Sequence, residues 1–110
     1  LFTPCQIKLA NAKSTLALES GSKDVEFVKL LQFGDLEIEY YKPNKWDKQL
    51  PHLKDEIYVI ISGEGTFYIN GQKFPFSECD VLFVKAGDDH RFLDFTDDFS
   101  TWVVFFGVSN

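Results

Sequence analysis

The stretch DKQLPHLKDEIYVIISG, residues 47–63, decides the reading of this chain. It carries His52, one of two histidines, then Glu56 four residues on, then an apolar run over residues 57–61 that Ser62 and Gly63 end. The second histidine, His90, has a similar setting: an apolar run over 81–84, the turn-rich KAGDD, then HRF. Two His and one Glu, each beside a buried-strand pattern, are the donor set of a three-ligand metal site on a β-scaffold. On one continuous strand, His52 and Glu56 would lie about 13 Å apart, at about 3.3 Å per residue. A shared ion therefore requires the chain to turn over residues 53–55.

With 110 residues the chain is expected to form one domain, residues 1–110, with a single core. Phe alone contributes 12 residues, so that core should be rich in rings rather than aliphatic side chains. A formal charge of −6 without a basic cluster argues against a nucleic-acid partner, whose phosphates demand a basic face. The longest apolar stretch, 102–106, is far short of the roughly 20 residues of a membrane span. No signal-peptide pattern is visible, and the chain begins at Leu1 rather than Met, as it would if a few native residues were missing. Cys5 and Cys79 have no metal-type spacing; two free thiols in a reducing compartment, the cytoplasm, are expected, although their spacing alone leaves a disulfide open.

Outward from the central stretch, residues 7–18 (IKLANAKSTLAL) read as one short helix, with Ile7, Ala10 or Asn11, Ser14 and Leu18 on one face and Leu9, Ala12 and Leu16 on its flank. With the loop expected over 19–24, this makes residues 1–24 an N-terminal helical segment and loop. Thereafter the period changes to two. Residues 26–33 and 36–41 flank Gly34-Asp35 as a hairpin. In the second run Leu36, Ile38 and Tyr40 are expected in the core, with Glu37, Glu39 and Tyr41 on the wet side. The run 57–61 is apolar on both faces and needs a second cover, either the N-terminal segment or a partner subunit.

GEG at 63–65 reads as a tight turn, Asn70-Gly71 as a two-residue hairpin, and Pro75 confines its strand to an edge or a bulge. Strands over 81–84, 90–95 and 101–106 follow. Eight or nine short strands joined by Gly and Asn/Asp turns, behind one helix, give an all-β barrel or jelly roll.

The two histidine segments resemble the two motifs of the cupin superfamily, small jelly-roll barrels (double-stranded β-helices) that commonly hold a metal in their mouth. The first motif is matched by His52, Glu56 and Gly63 at the family spacing. The second runs through Asp80, VLFV, the turn at Gly87 and His90, and departs from the family at Cys79, where Gly is usual, and at Lys85, where Pro is usual. The resemblance covers roughly residues 36–107, and the strings around His52, HRF and WVVFFG are similar to those of a small single-domain bacterial subgroup. Most metal-binding cupins carry His-x-His; the other His would fall at Leu50. Gln49 lies on the opposite face by alternation, but a bulge beside Pro51 would re-aim it as a fourth ligand.

The resemblance implies a divalent metal ion (iron, zinc, nickel or manganese) held by His52, Glu56 and His90, with open positions for water, oxygen or a bidentate substrate. The bland alternative is two ordinary histidines in a barrel without metal. Tyr58 shares the face of Glu56 and is the candidate catalytic residue, or else core with its hydroxyl bonded. Phe83, Phe92 and Trp102 read as core, Arg91 as a surface ion-pair or rim residue, Cys79 as packing, and Asp47 and Asp55 as turn formers. No Ser or Cys triad and no phosphate loop is present.

Two functions follow. One is a metal-dependent enzyme, dioxygenase- or isomerase-like, acting on a small oxygenated metabolite. The other is a non-catalytic module, sensor or sequestering, that binds a small ligand or metal. The two-face apolar strands at 57–61 and 102–106 further predict a homodimer.

Overall fold

The structure is a computed structural model that describes residues 4–20 and 26–107. One helix, α1 (Leu9–Ser20), precedes eight strands: β1 (Phe27–Phe33), β2 (Leu36–Tyr41), β3 (Asp55–Ser62), β4 (Gly65–Ile69), β5 (Gln72–Phe76), β6 (Val81–Val84), β7 (His90–Leu93) and β8 (Ser100–Phe106). They form a five-stranded sheet in the order β1-β2-β8-β3-β6 and a three-stranded sheet in the order β5-β4-β7. Every pairing is antiparallel. This is the jelly-roll architecture that the short strands implied. Most of the loop expected over 19–24 lies outside the described residues.

The core between the sheets is mostly rings, as the Phe count required: Tyr41, Tyr58, Phe67, Phe76, Phe92, Phe99 and Phe105 pack with Ile60, Val84 and Val103. The rings meet edge-on or tilted, Tyr58 with Phe92 at 4.9 Å and Phe92 with Phe99 at 4.7 Å between centroids, the geometry that ring quadrupoles favour. Phe92 is core as expected. Trp102 is half-buried on the outer face, edge-on to Tyr40.

Helix α1 covers that outer face. Ala12 and Leu16 are buried against Val28 and Tyr40, with Leu9, Leu30, Ile61 and Trp102 around them. The buried stripe is thus Leu9, Ala12 and Leu16, spaced i, i+3, i+7, while Leu18, which the sequence placed on the main face, is 84 % exposed. The second cover sought for residues 57–61 is supplied by the helix at Ile61.

The faces of β2 also differ from expectation. Tyr40 packs under the helix, and Tyr41 belongs to the interior core. Glu37, Glu39 and Tyr41 therefore face into the barrel, where a cavity takes the place of the expected open solvent. Alternation identified the two faces correctly and Tyr40 is buried as expected, but the side expected to be wet lines the interior of the barrel.

Strand β6 is the edge of its sheet, and Val81 and Phe83 are 64 % and 57 % exposed, so Phe83 is a surface residue rather than core. Strand β5, with Pro75, is an edge as its proline demands. Cys79 is exposed in a turn at φ 72° rather than packed; the family's Gly suits this left-handed conformation without strain. Cys5 is also a free, exposed thiol. Among the described residues no helix is long and apolar enough to cross a membrane.

Candidate metal centre

Strand β3 contributes Glu56 and Tyr58 from its inward face, where they alternate with half-buried Ile57 and Val59. His90 opens β7 in the opposite sheet. His52 and Gln49 come from the segment between β2 and β3, which bends at Leu53 and Lys54. Two bonds fix that bend against the turn before β7: the Gly87 N–H donates to the His52 carbonyl (2.8 Å) and the Ala86 N–H to Asp55 Oδ1 (2.8 Å). The Asp88 N–H closes the turn onto the Lys85 carbonyl, so it forms without the family's Pro. As a result His52 Nε2 lies 3.7 Å from Glu56 Oε1, and His90 Nε2 lies 3.3 Å from Glu56 Oε2. One ligand atom from each of the three residues falls within 4.8 Å of the others.

His90 Nδ1 lies 2.9 Å from the Asp88 carbonyl, which can only accept, so Nδ1 carries a hydrogen and Nε2 is the ring atom turned towards the cluster. The Tyr58 hydroxyl stands 3.1 Å from His90 Nε2, 3.1 Å from Glu56 Oε1 and 3.2 Å from Gln49 Oε1, with one proton to give. Glu56 Oε2, fully buried, has no hydrogen-bond partner among the described residues and stands 3.3 Å from His90 Nε2. A buried carboxyl among such groups calls for a positive charge, which a proton supplies in the metal-free fold and which a cation bound by two imidazoles and a carboxylate would supply in its place. The donor set fits a divalent metal ion.

The titration behaviour points the same way. Burial pushes the Glu56 carboxyl up to about 8, with Glu39 and Asp47 adding to the rise and the Tyr58 hydroxyl opposing it. Burial, then the Glu56 carboxylate, raises the Tyr58 hydroxyl well above its ordinary value. Burial and the neighbouring His90 lower His52 and favour a neutral imidazole, the form that ligates metals.

Gln49 is turned inward, as its candidacy required, but through loop geometry rather than a bulged strand. Its Nε2 donates to Asp47 Oδ2 (3.2 Å), which leaves Oε1 directed at Tyr58 and 3.4 Å from His52 Nε2. Asp47 is not the simple turn former that its sequence context suggested. It is 1 % exposed and accepts from the Tyr41 hydroxyl (2.6 Å), the Gln49 N–H (3.0 Å) and the Phe92 N–H (2.9 Å) as well. Only its nearness to Gln49 in sequence hinted at this.

A cavity of about 750 Å³ opens beside the cluster, lined by Gln49 and His52 together with Glu37, Glu39, Tyr41, Val103 and Phe105 among others. His52 belongs to both the cavity wall and the cluster, so a ligand in the cavity reaches the cluster from its side. Arg91 is exposed and takes no part.

Residues 38–105 match the family profile described as Cupin domain, well over half of the chain. The chain belongs to the cupin family. This cupin is 26 % identical over 92 residues to an uncharacterized protein of Streptomyces coelicolor, a match that covers 82 % of this chain and 88 % of the relative. A shorter match, 46 % identical over 35 residues, relates it to an oxalate-binding protein of Thermotoga maritima and covers 32 % of this chain and 29 % of the relative. Among solved structures it resembles a cupin 2 conserved barrel domain protein from Salinispora arenicola, at 20 % identity and a TM-score of 0.63, over 74 % of this chain and 75 % of that one. At that identity the likeness is one of fold.

Proposed function

We propose that this cupin is a metal-dependent enzyme acting on a small oxygenated metabolite, with the ion held by His52, Glu56 and His90 and with Gln49 as a fourth ligand. One observation carries this reading: a fully buried carboxyl oxygen, Glu56 Oε2, without a hydrogen-bond partner among the described residues, stands 3.3 Å from His90 Nε2 in a cluster that brings His52 within ligand reach as well.

When bound, a divalent ion would polarise a carbonyl or enol oxygen of the substrate and raise the acidity of bound water. The residues of the chain do the rest. Asp47 fixes the Gln49 amide, and the Asp88 carbonyl fixes the His90 ring. Tyr58, with its hydroxyl kept neutral by burial and bonded to Glu56, is the candidate for donating a proton to a ligand oxygen or holding it in position. Val103 and Phe105 give the cavity a dry wall on the side of β8.

The alternative reading is a non-catalytic module that binds a small ligand or metal, and the oxalate-binding relative keeps it in view. A barrel mouth plugged by aromatic side chains would favour it; the open cavity beside His52 favours the enzyme. We further propose a homodimer, and place the protein in a reducing compartment, the cytoplasm, on the strength of two free, exposed thiols.

The test is elemental analysis of protein purified without chelators or a metal-affinity tag, beside His52→Ala and His90→Ala. Near-stoichiometric iron, nickel, manganese or zinc, lost in both variants, is expected. A protein that holds no metal and takes none up on titration overturns the reading.

A further inference from the structure

We propose that Glu39 makes this site selective for ligands that carry a protonated amine a few carbons from their metal-binding oxygens. This inference rests on the metal-binding reading above and deepens it.

Register places Glu39 on the floor of the cavity. On the inward face of the five-stranded sheet, Glu39 pairs with Val103 of β8, and Val103 pairs with Tyr58 of β3. Glu39 and the ligand-bearing strand are therefore two strand spacings apart, about 9–10 Å laterally, with apolar Val103 and Phe105 between them. Both residues line the cavity together with Glu39.

The other two glutamates of the cavity are already partnered. Glu26 accepts from the Asn44 N–H (2.7 Å) and meets Lys48 at 4.0 Å, while Glu37 lies between Lys29 (3.5 Å) and Lys54 (3.7 Å). Glu39 has no hydrogen bond or ion pair among the described residues. Burial first, then the Glu37 charge, raises its carboxyl above the usual range, with only Lys29 opposing. A half-buried carboxylate beside another carboxylate and two apolar side chains is under-solvated, and a donor group in the cavity relieves it. An ammonium satisfies both its charge and its lone pairs, an alkyl end does neither, and a second carboxylate adds repulsion. The metal end of the site calls for the opposite chemistry, oxygen donors for a cation. The cavity thus has two poles, and an aminocarboxylate matches both.

The experiment is calorimetric titration of zinc-loaded protein with three probes of equal chain length: 5-aminopentanoate, pentanoate and glutarate. The wild type is expected to bind them in that order, with roughly tenfold between the first and second, the size of one charge-assisted hydrogen bond. In Glu39→Gln, zinc stoichiometry by elemental analysis stays unchanged while the preference for the amine falls to within about twofold. A preference that survives in Glu39→Gln, a wild type that binds glutarate as well as 5-aminopentanoate, or no binding of any probe to the zinc-loaded protein overturns the proposal and leaves metal binding standing. A wild type that takes up no zinc overturns the metal reading and the proposal with it.

Discussion

Asp47 holds Gln49 at two points: its Oδ1 accepts the Gln49 backbone N–H at 3.0 Å and its Oδ2 accepts the side-chain Nε2 at 3.2 Å. Because a carboxylate can only accept, this pair decides which end of the amide faces the cluster. Asp47→Asn keeps the shape but offers the amide a donor, so the Gln49 carbonyl loses its orientation. Metal affinity is expected to fall by roughly tenfold or more, the usual effect of losing an outer hydrogen-bond partner. Asp47→Ala also strands the Tyr41 hydroxyl and the Phe92 N–H in the core and should cost on the order of 3 kcal/mol in urea unfolding. Competition with a chelating dye reads the first effect. An Asp47→Asn variant with wild-type metal affinity would show that the orientation of Gln49 does not matter.

The metal-free protein should lose stability as the pH rises. The Glu56 carboxyl titrates near 8 in the fold against an ordinary 4.5. Below about 4.5 both states carry the proton and the contribution is fully present. Between about 4.5 and 8 the unfolded chain has released the proton and the fold retains it, so the fold binds more protons and stability falls with pH. The full loss is on the order of 5 kcal/mol, from 1.36 kcal/mol per unit. Bound metal replaces the proton and flattens the slope. Urea unfolding from pH 5 to 9 with EDTA or with zinc measures both curves, and Glu56→Gln should remove most of the slope in EDTA. A flat EDTA curve for the wild type would mean that Glu56 is charged in the metal-free fold.

The sequence carried the strand pattern and the His52, Glu56, His90 triad because both depend on spacing, which survives substitution. The turn over residues 53–55 followed from reach alone, since no straight strand brings His52 to Glu56. What spacing does not encode is which side of a strand is wet. Glu37 and Glu39 read as solvent-facing because charge is normally outside, yet the inside of this barrel contains a cavity that accepts charge. The same logic hid Phe83, whose apolar strand is an edge that the chain itself does not cover. Asp47 was invisible because its partners, Tyr41 and Phe92, are distant in sequence and meet only once the sheets close.

Gly63 and Gly71 have nearly the same backbone, φ 87° and 88°, and should respond differently to Ala. A Cβ at Gly63 would stand 2.6 Å from the Phe99 Cα and 2.8 Å from the Phe99 N, both backbone atoms that cannot rotate away. A Cβ at Gly71 meets nothing within 4 Å. Gly71→Ala therefore carries conformational strain alone, about 1–2 kcal/mol, whereas Gly63→Ala adds a steric clash and should cost about 3 kcal/mol or more. Thermal melts of the two variants side by side check the difference. Equal losses would mean that the segment around Phe99 yields, and that the approach of β3 to it is looser than the structure shows.

The outer face of β8, β3 and β6 carries the dimer prediction. Register aligns Val104, Ile57 and Phe83 in one outward row and Trp102, Val59 and Val81 in the next. Helix α1 covers this surface at Trp102 and Ile61, and at the β6 edge Val81 and Phe83 remain largely exposed. An apolar face that runs on to an unpaired strand edge is a surface that natural proteins cover or blunt with charge. Here no charge interrupts those two rows, and a second copy presenting the same rows is self-complementary. Light scattering should give twice the chain mass of 12.7 kDa, and Phe83→Glu, which places a carboxylate at the centre of the contact, should shift the protein towards monomer while leaving its fold and metal content intact. A wild type that stays at 12.7 kDa at high concentration rules the dimer out.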